Sequence, residues 1–96
     1  MHAVVNHLRL AEPLPAASLA AVEEAMPTML AAGSLGVHVV RVDDLHYVLV
    51  LFFASAEDAD RIARELGGPL MREHVVPYLA DGTDRNLGEV VVSSST

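Results

Sequence analysis

The sequence predicts an α+β fold of order βαββαβ, a four-stranded antiparallel sheet with helices on one face. Two short β-prone runs lie side by side around Asp43-Asp44, which is hairpin composition. Two stretches repeat their apolar residues every three or four positions, as amphipathic helices do. One further β-prone run stands at each end of the chain.

The first strand is expected from His2 to Leu10, ended by Pro13 and Pro15. Its alternation puts Asn6 on one face with Val4 and Leu8, and His7 on the other with Val5 and Arg9. From Pro15 to Ala32, a stripe of Leu19, Val22, Met26, Met29 and Leu30 marks the first helix. Pro27 should kink it or end it early by removing a hydrogen bond to the Glu23 carbonyl, and Gly33 should stop it.

The paired strands are expected over Leu35–Val42 and Leu45–Phe53. With a loop of Asp43 and Asp44, Val42 would face Leu45, Val40 would face Tyr47, and His38 would lie beside Leu49, on one sheet face with Tyr47. His46 would then lie near Arg41 on the opposite face. Ser55 with Asp58 caps a second helix whose stripe is Ala59, Ile62, Ala63 and Leu66. Gly67 reads as its left-handed stop and Pro69 as a block to continuation. Another helical turn or two is expected within Leu70–Leu79, a turn at Asp81-Gly82, and a last strand over Leu87–Val92. Together these elements make the ferredoxin-like arrangement.

Ninety-six residues suit one domain, 1–92, with a flexible tail at 93–96. The chain has 52% hydrophobic and only 20% charged residues, more apolar than a soluble domain of this size needs. Tyr47-Val48-Leu49-Val50-Leu51-Phe52-Phe53 is apolar at every position, so both sheet faces require cover. The helices cover one, and the simplest cover for the other is the same face of a second copy, closing an α/β barrel as a homodimer. No apolar run reaches the roughly 18–20 residues of a membrane span, and no basic region precedes the N-terminal apolar residues, so the expected location is cytoplasmic.

The absence of cysteine excludes disulfides, thiolate nucleophiles and cysteine-ligated metals. Six arginines, ungrouped, against 13 acids give a net charge of −7, which argues against a nucleic-acid partner. No nucleophile with an ordered base, glycine-rich phosphate loop or nucleotide fingerprint is present, and His2, His7 and His46 fit no metal spacing.

The residues that carry chemistry are fewer. Asn6 is an amide on an apolar strand face, and left unpaired there it would cost about 1–3 kcal/mol. His74 follows Gly68-Pro69 and offers an imidazole for proton transfer or ligation. His38 and Tyr47 are candidates for a pocket wall or a packed cross-strand pair. Arg72 could hold an anionic group, and Met71 suits a cavity for a flat apolar ligand.

Ser34-Leu35-Gly36 entering the second strand, the paired apolar strands, Ser55-Ala56-Glu57-Asp58-Ala59 opening the second helix, and Gly68-Pro69 followed by His74 resemble the dimeric α/β-barrel superfamily of antibiotic-biosynthesis monooxygenases, with weaker similarity to its haem-degrading branch. The resemblance implies a cofactor-independent monooxygenase acting on an aromatic or quinol-like small molecule. His74 would take the substrate proton, Asn6 would steady the oxygen or enolate, Tyr47 or Arg72 would orient the ring, and His38 and Met71 would line the site. In the haem-binding alternative, Asn6 matches that branch's first-strand asparagine and His74 its haem ligand, while its tryptophan has no match and Glu65 stands about where that ring would lie. A non-catalytic accessory dimer is the third reading, with the pocket filled by Leu70, Met71 and Met26.

Overall fold

The computed structural model describes residues 1–94, so the tail expected at 93–96 lies partly outside the described residues. The elements are β1 (His2–Arg9), α1 (Ala16–Ala32), β2 (Ser34–Asp43), β3 (His46–Phe53), α2 (Ala56–Ile62), α3 (Gly68–His74) and β4 (Asp84–Glu89). The strands form one antiparallel sheet in the order β2-β3-β1-β4. This is the ferredoxin-like arrangement expected from the periodicities.

Alternation along the strands divides the sheet into two faces. The helix-packed face carries Val4 and Leu8 of β1, Tyr47, Leu51 and Phe53 of β3, and Leu87 of β4. Against it pack Met29 of α1, Ala59 and Ile62 of α2, and Val75 just beyond α3. Phe53, Leu8, Ile62 and Val75 are the largest fully buried side chains, each contributing about 1.5–3 kcal/mol by burial. The opposite, open face carries Val5, Val48, Val50 and Phe52 with His38 and Val40.

Helix α1 does not end at Pro27 but runs on to Ala32. Both Pro27 and Glu23, whose carbonyl loses its partner, are exposed, so water can satisfy that oxygen. The stop at Gly33 is as expected, with φ 125° and its N–H bonded back to the Leu30 carbonyl. Arg61 of α2 adds a second cap, its Nη2 donating to the Ala32 carbonyl at 2.7 Å, where a cation also complements the helix dipole. Leu30, expected in the buried stripe, is 49% exposed.

The β2–β3 hairpin departs from the expected register. Asp43 pairs with His46, leaving Asp44 and Leu45 as the loop, and Asp43 Oδ1 accepts a 2.8 Å hydrogen bond from the Leu45 N–H. That side-chain turn shifts the loop by one residue. A bulge between Arg41 and Asp43 then sets Arg41 opposite Tyr47, Val39 opposite Leu49 and His38 opposite Val50. The one-residue slip exchanges faces: Tyr47 points to the helices and is buried, whereas His38 lies on the open face, edge-on to Phe52. Arg41 accordingly donates from Nε to the Tyr47 hydroxyl at 2.9 Å. His46 meets His7 instead of Arg41, with Nδ1 and Nε2 3.1 Å apart.

A second bulge separates Ser34 from Gly36, where the buried Ser34 hydroxyl donates to the Gly36 and Phe52 carbonyls at 3.1 and 3.3 Å. Ser55 caps α2 as expected, accepting from the Asp58 N–H at 3.1 Å.

The expected stop at Gly67 is absent. Gly67 has φ −66° and Gly68 φ −61°, and the chain passes from α2 through a π-helical turn, Ala63–Gly67, directly into α3. The physical reason is Pro69, which lacks an N–H and in a straight α-helix would press on the Glu65 carbonyl. One wider turn, in which the Gly68 N–H bonds to the Ala63 carbonyl, absorbs the extra residue and lets proline sit in the first turn of α3.

The two glycines are therefore not equivalent. A Cβ on Gly68 would stand 2.8 Å from the Ala63 carbonyl oxygen, whereas one on Gly67 would meet nothing nearer than 3.8 Å. Gly68→Ala is expected to destabilise by about 1–3 kcal/mol, because overpacking exceeds the gain of up to about 1 kcal/mol in helix propensity. Gly67→Ala is expected to stabilise by about 0.4–1 kcal/mol. Denaturant unfolding of the two variants, with equal or reversed effects, would refute this account of the turn.

A 3₁₀ turn, Val76–Tyr78, follows α3, and β4 begins at Asp84, three residues before the expected Leu87, and ends at Glu89. Val91 and Val92, expected in that strand, are 84% and 87% exposed. No helix among the described residues is long and apolar enough to cross a membrane.

Candidate functional site

Between the helix-packed sheet face and the helical layer lies a cavity of about 280 Å³, near the lower end of the range for small-molecule sites. Its floor is Val4, Asn6, Leu8, Leu49 and Leu51, and its roof includes Leu70, Met71 and Val75. The space exists because the chain between α2 and α3 does not lie as one straight α-helix. Gly67 and Gly68 both line the wall, where a side chain would narrow it.

The polar groups on this apolar surface are few: Asn6, Thr83, Arg72 and Arg85. Asn6 is 7% exposed and its Oδ1 is fully buried with no hydrogen-bond partner. An unsatisfied amide oxygen in such a place carries a desolvation cost of about 1–3 kcal/mol, which a ligand donor would relieve. Arg85 of β4 is paired with Asn6 across the sheet, so the two side chains leave the same face as neighbours. Arg72 approaches from α3.

The structure therefore brings together Asn6, Met71 and Arg72 of the sequence candidates. His74 does not join them. It ends α3 outside the cavity lining, with Nε2 3.7 Å from Glu73 Oε2 and a side chain 31% exposed. Tyr47 lines a neighbouring depression with Arg41, Glu23 and Met26, and its hydroxyl is engaged by Arg41. His38 is on the other side of the sheet. Leu70 and Met71 border the cavity without filling it, and Met26 lies in the depression instead.

Two features escaped the sequence. Arg85 was assigned to the loop before the last strand, although its alternation with Leu87 on one face was available as a signal. The His7–His46 contact joins residues 39 positions apart, and no local pattern announces it. Among the described residues no group of three or more histidine, aspartate or glutamate side chains could hold a metal ion.

The haem alternative fits poorly. The histidine that would ligate iron is off the cavity lining, the chain has no tryptophan, and a porphyrin needs more room than this cavity gives.

No protein-family model and no curated protein sequence matches this chain. Solved structures do. A protein of unknown function from Nitrosomonas europaea superposes with TM-score 0.81 at 12% identity, covering 99% of this chain and 93% of that one. A variant of SnoaB, a cofactor-independent oxygenase from Streptomyces nogalater, gives TM-score 0.77 at 12% identity, covering 99% and 97%. A MhuD variant with two manganese protoporphyrin IX molecules bound per active site gives 0.59 at 18% identity over the full length of both chains.

The chain thus has the fold shared by the antibiotic-biosynthesis-monooxygenase-like proteins. At these identities the likeness speaks to architecture, and function must be argued from the site.

Proposed function

We propose that this protein is a homodimer that binds a small, mainly apolar aromatic or quinol-like molecule in the cavity and oxygenates it without a cofactor. The observation that carries the reading is Asn6, a buried amide whose Oδ1 has no partner on the floor of an apolar cavity. The SnoaB-like fold supports the reaction class.

In this reaction the substrate supplies all the electrons. An activated ring CH₂ loses a proton to water, and the resulting carbanion or phenolate reduces dioxygen and forms a C–O bond. The peroxide then loses its second oxygen atom as water while the remaining C–H proton departs, leaving C=O. Asn6 donates from its amide Nδ2 to the enolate or phenolate oxygen, as preorganised dipoles do at developing charge. Arg72 and Arg85 favour the ionised substrate electrostatically, and Met71 packs on the ring. His74, off the cavity lining, has no part in the step.

The test is oxygen uptake by purified, cofactor-free protein with anthrone-type and dihydroxyaromatic compounds. Saturable uptake is expected, with one oxygen atom of labelled dioxygen entering the product, and His74→Ala should match the wild type. Uptake no faster than in buffer across the panel would sink the catalytic reading. A second reading, a binding protein for the same class of ligand, is favoured by one observation: among the described residues no carboxylate or imidazole lines the cavity. It predicts saturable binding with no oxygen consumed.

A further inference from the structure

We infer that the cavity is selective for ligands that carry a carboxylate, and that Arg85 is the residue that recognises it. The inference rests on the cavity being the ligand site proposed above, and goes further by naming the charge of its occupant.

Charge around the cavity is distributed against the trend of the chain. There are 13 acids and six arginines, yet among the described residues two arginines and no acid line the cavity. A protein of net charge −7 repels anions at long range, so an anionic ligand needs a local cationic contact. Arg85 is placed to give it.

Its strand partner is Asn6, so one ligand can meet the Asn6 amide with a hydroxyl and the guanidinium beside it with a carboxylate. A hydroxylated aromatic acid whose two groups stand too far apart on the ring to hydrogen-bond each other has that arrangement. Arg85 also has donors to spare. Its described interaction is an ion pair with Asp60, Nη2 to Oδ1 at 3.7 Å, beyond hydrogen-bond reach. The Asp60 side chain is 62% exposed, so water screens the pair and its worth is small. A ligand carboxylate at hydrogen-bond distance can take two parallel N–H donors of the guanidinium at once. Arg72, on α3, carries no such pairing with Asn6 and is assigned no recognition of the acid.

The experiment measures the affinity of a hydroxynaphthoate and of its methyl ester by ligand fluorescence, which a protein without tryptophan does not obscure. The wild type should bind the acid about tenfold or more tighter than the ester, the range of a charge-assisted hydrogen bond, with a preference that shrinks as salt rises. In Arg85→Gln the preference should disappear through the acid alone, the ester binding as before. Asp60→Asn should strengthen binding of the acid by removing the competing carboxylate. Equal affinities for acid and ester in the wild type, or a preference that survives Arg85→Gln, would overturn the inference while leaving the cavity as the ligand site. Failure of both compounds to bind would overturn the cavity reading and this inference together.

Discussion

Asn6→Leu is expected to make the ligand-free protein more stable by about 1–3 kcal/mol and to lower turnover by about 10²–10³-fold. The opposite signs come from one cause. In the empty protein the amide is surrounded by Val4, Leu8 and Leu49, and its Oδ1 is buried without a partner. A leucine of similar size removes an unsatisfied acceptor and restores the apolar floor. In the proposed reaction the same change removes the amide N–H donor to the developing oxyanion, and the barrier rises. Urea unfolding with an unchanged m-value gives the first quantity and oxygen uptake the second. A fall in stability would mean that the amide is part of the scaffold, and that its claim as a site residue fails.

Val50→Asp is expected to convert the proposed dimer to a monomer, raising the dissociation constant by about 100-fold or more. Val50 stands in the middle of the open face, opposite Val5 on one neighbour and His38 on the other. Within one protomer the carboxylate would still meet water, so circular dichroism should be preserved. Between two copies it would be buried without a countercharge, which is the costly case. Sedimentation equilibrium decides it, and a wild type that is monomeric at micromolar concentration removes the dimer proposal.

The architecture was legible because it depends on patterns repeated over many residues. The stripe of α1, the alternation placing Val4, Asn6 and Leu8 together, and the Ser55 cap each express a period or a local bond. The site was less legible because it depends on single-residue offsets. Asp43 and Asp44 are both turn formers, and nothing in their composition says which will bond the Leu45 N–H. That choice sends His38 and Tyr47 to opposite faces and removes both from the cavity. Gly67-Gly68-Pro69 has the composition of a helix end, yet proline fits equally well in the first turn of a helix that continues. With α3 running on from α2, His74 falls outside the lining while Met71 and Arg72 face in. Arg85 was missed because the edge strand β4 has little apolar alternation to mark its start.

The π-helical turn at Ala63–Gly67 is, in effect, a one-residue insertion held within a helix. Removing one residue there, with Pro69 also replaced so that no ring presses on the carbonyl four residues back, would restore plain α-geometry and rotate all that follows by about 100°. Met71, Arg72 and Val75 would turn away from the sheet together, even with every one of their side chains unchanged. The shape of this cavity is therefore tied to chain length at a single turn.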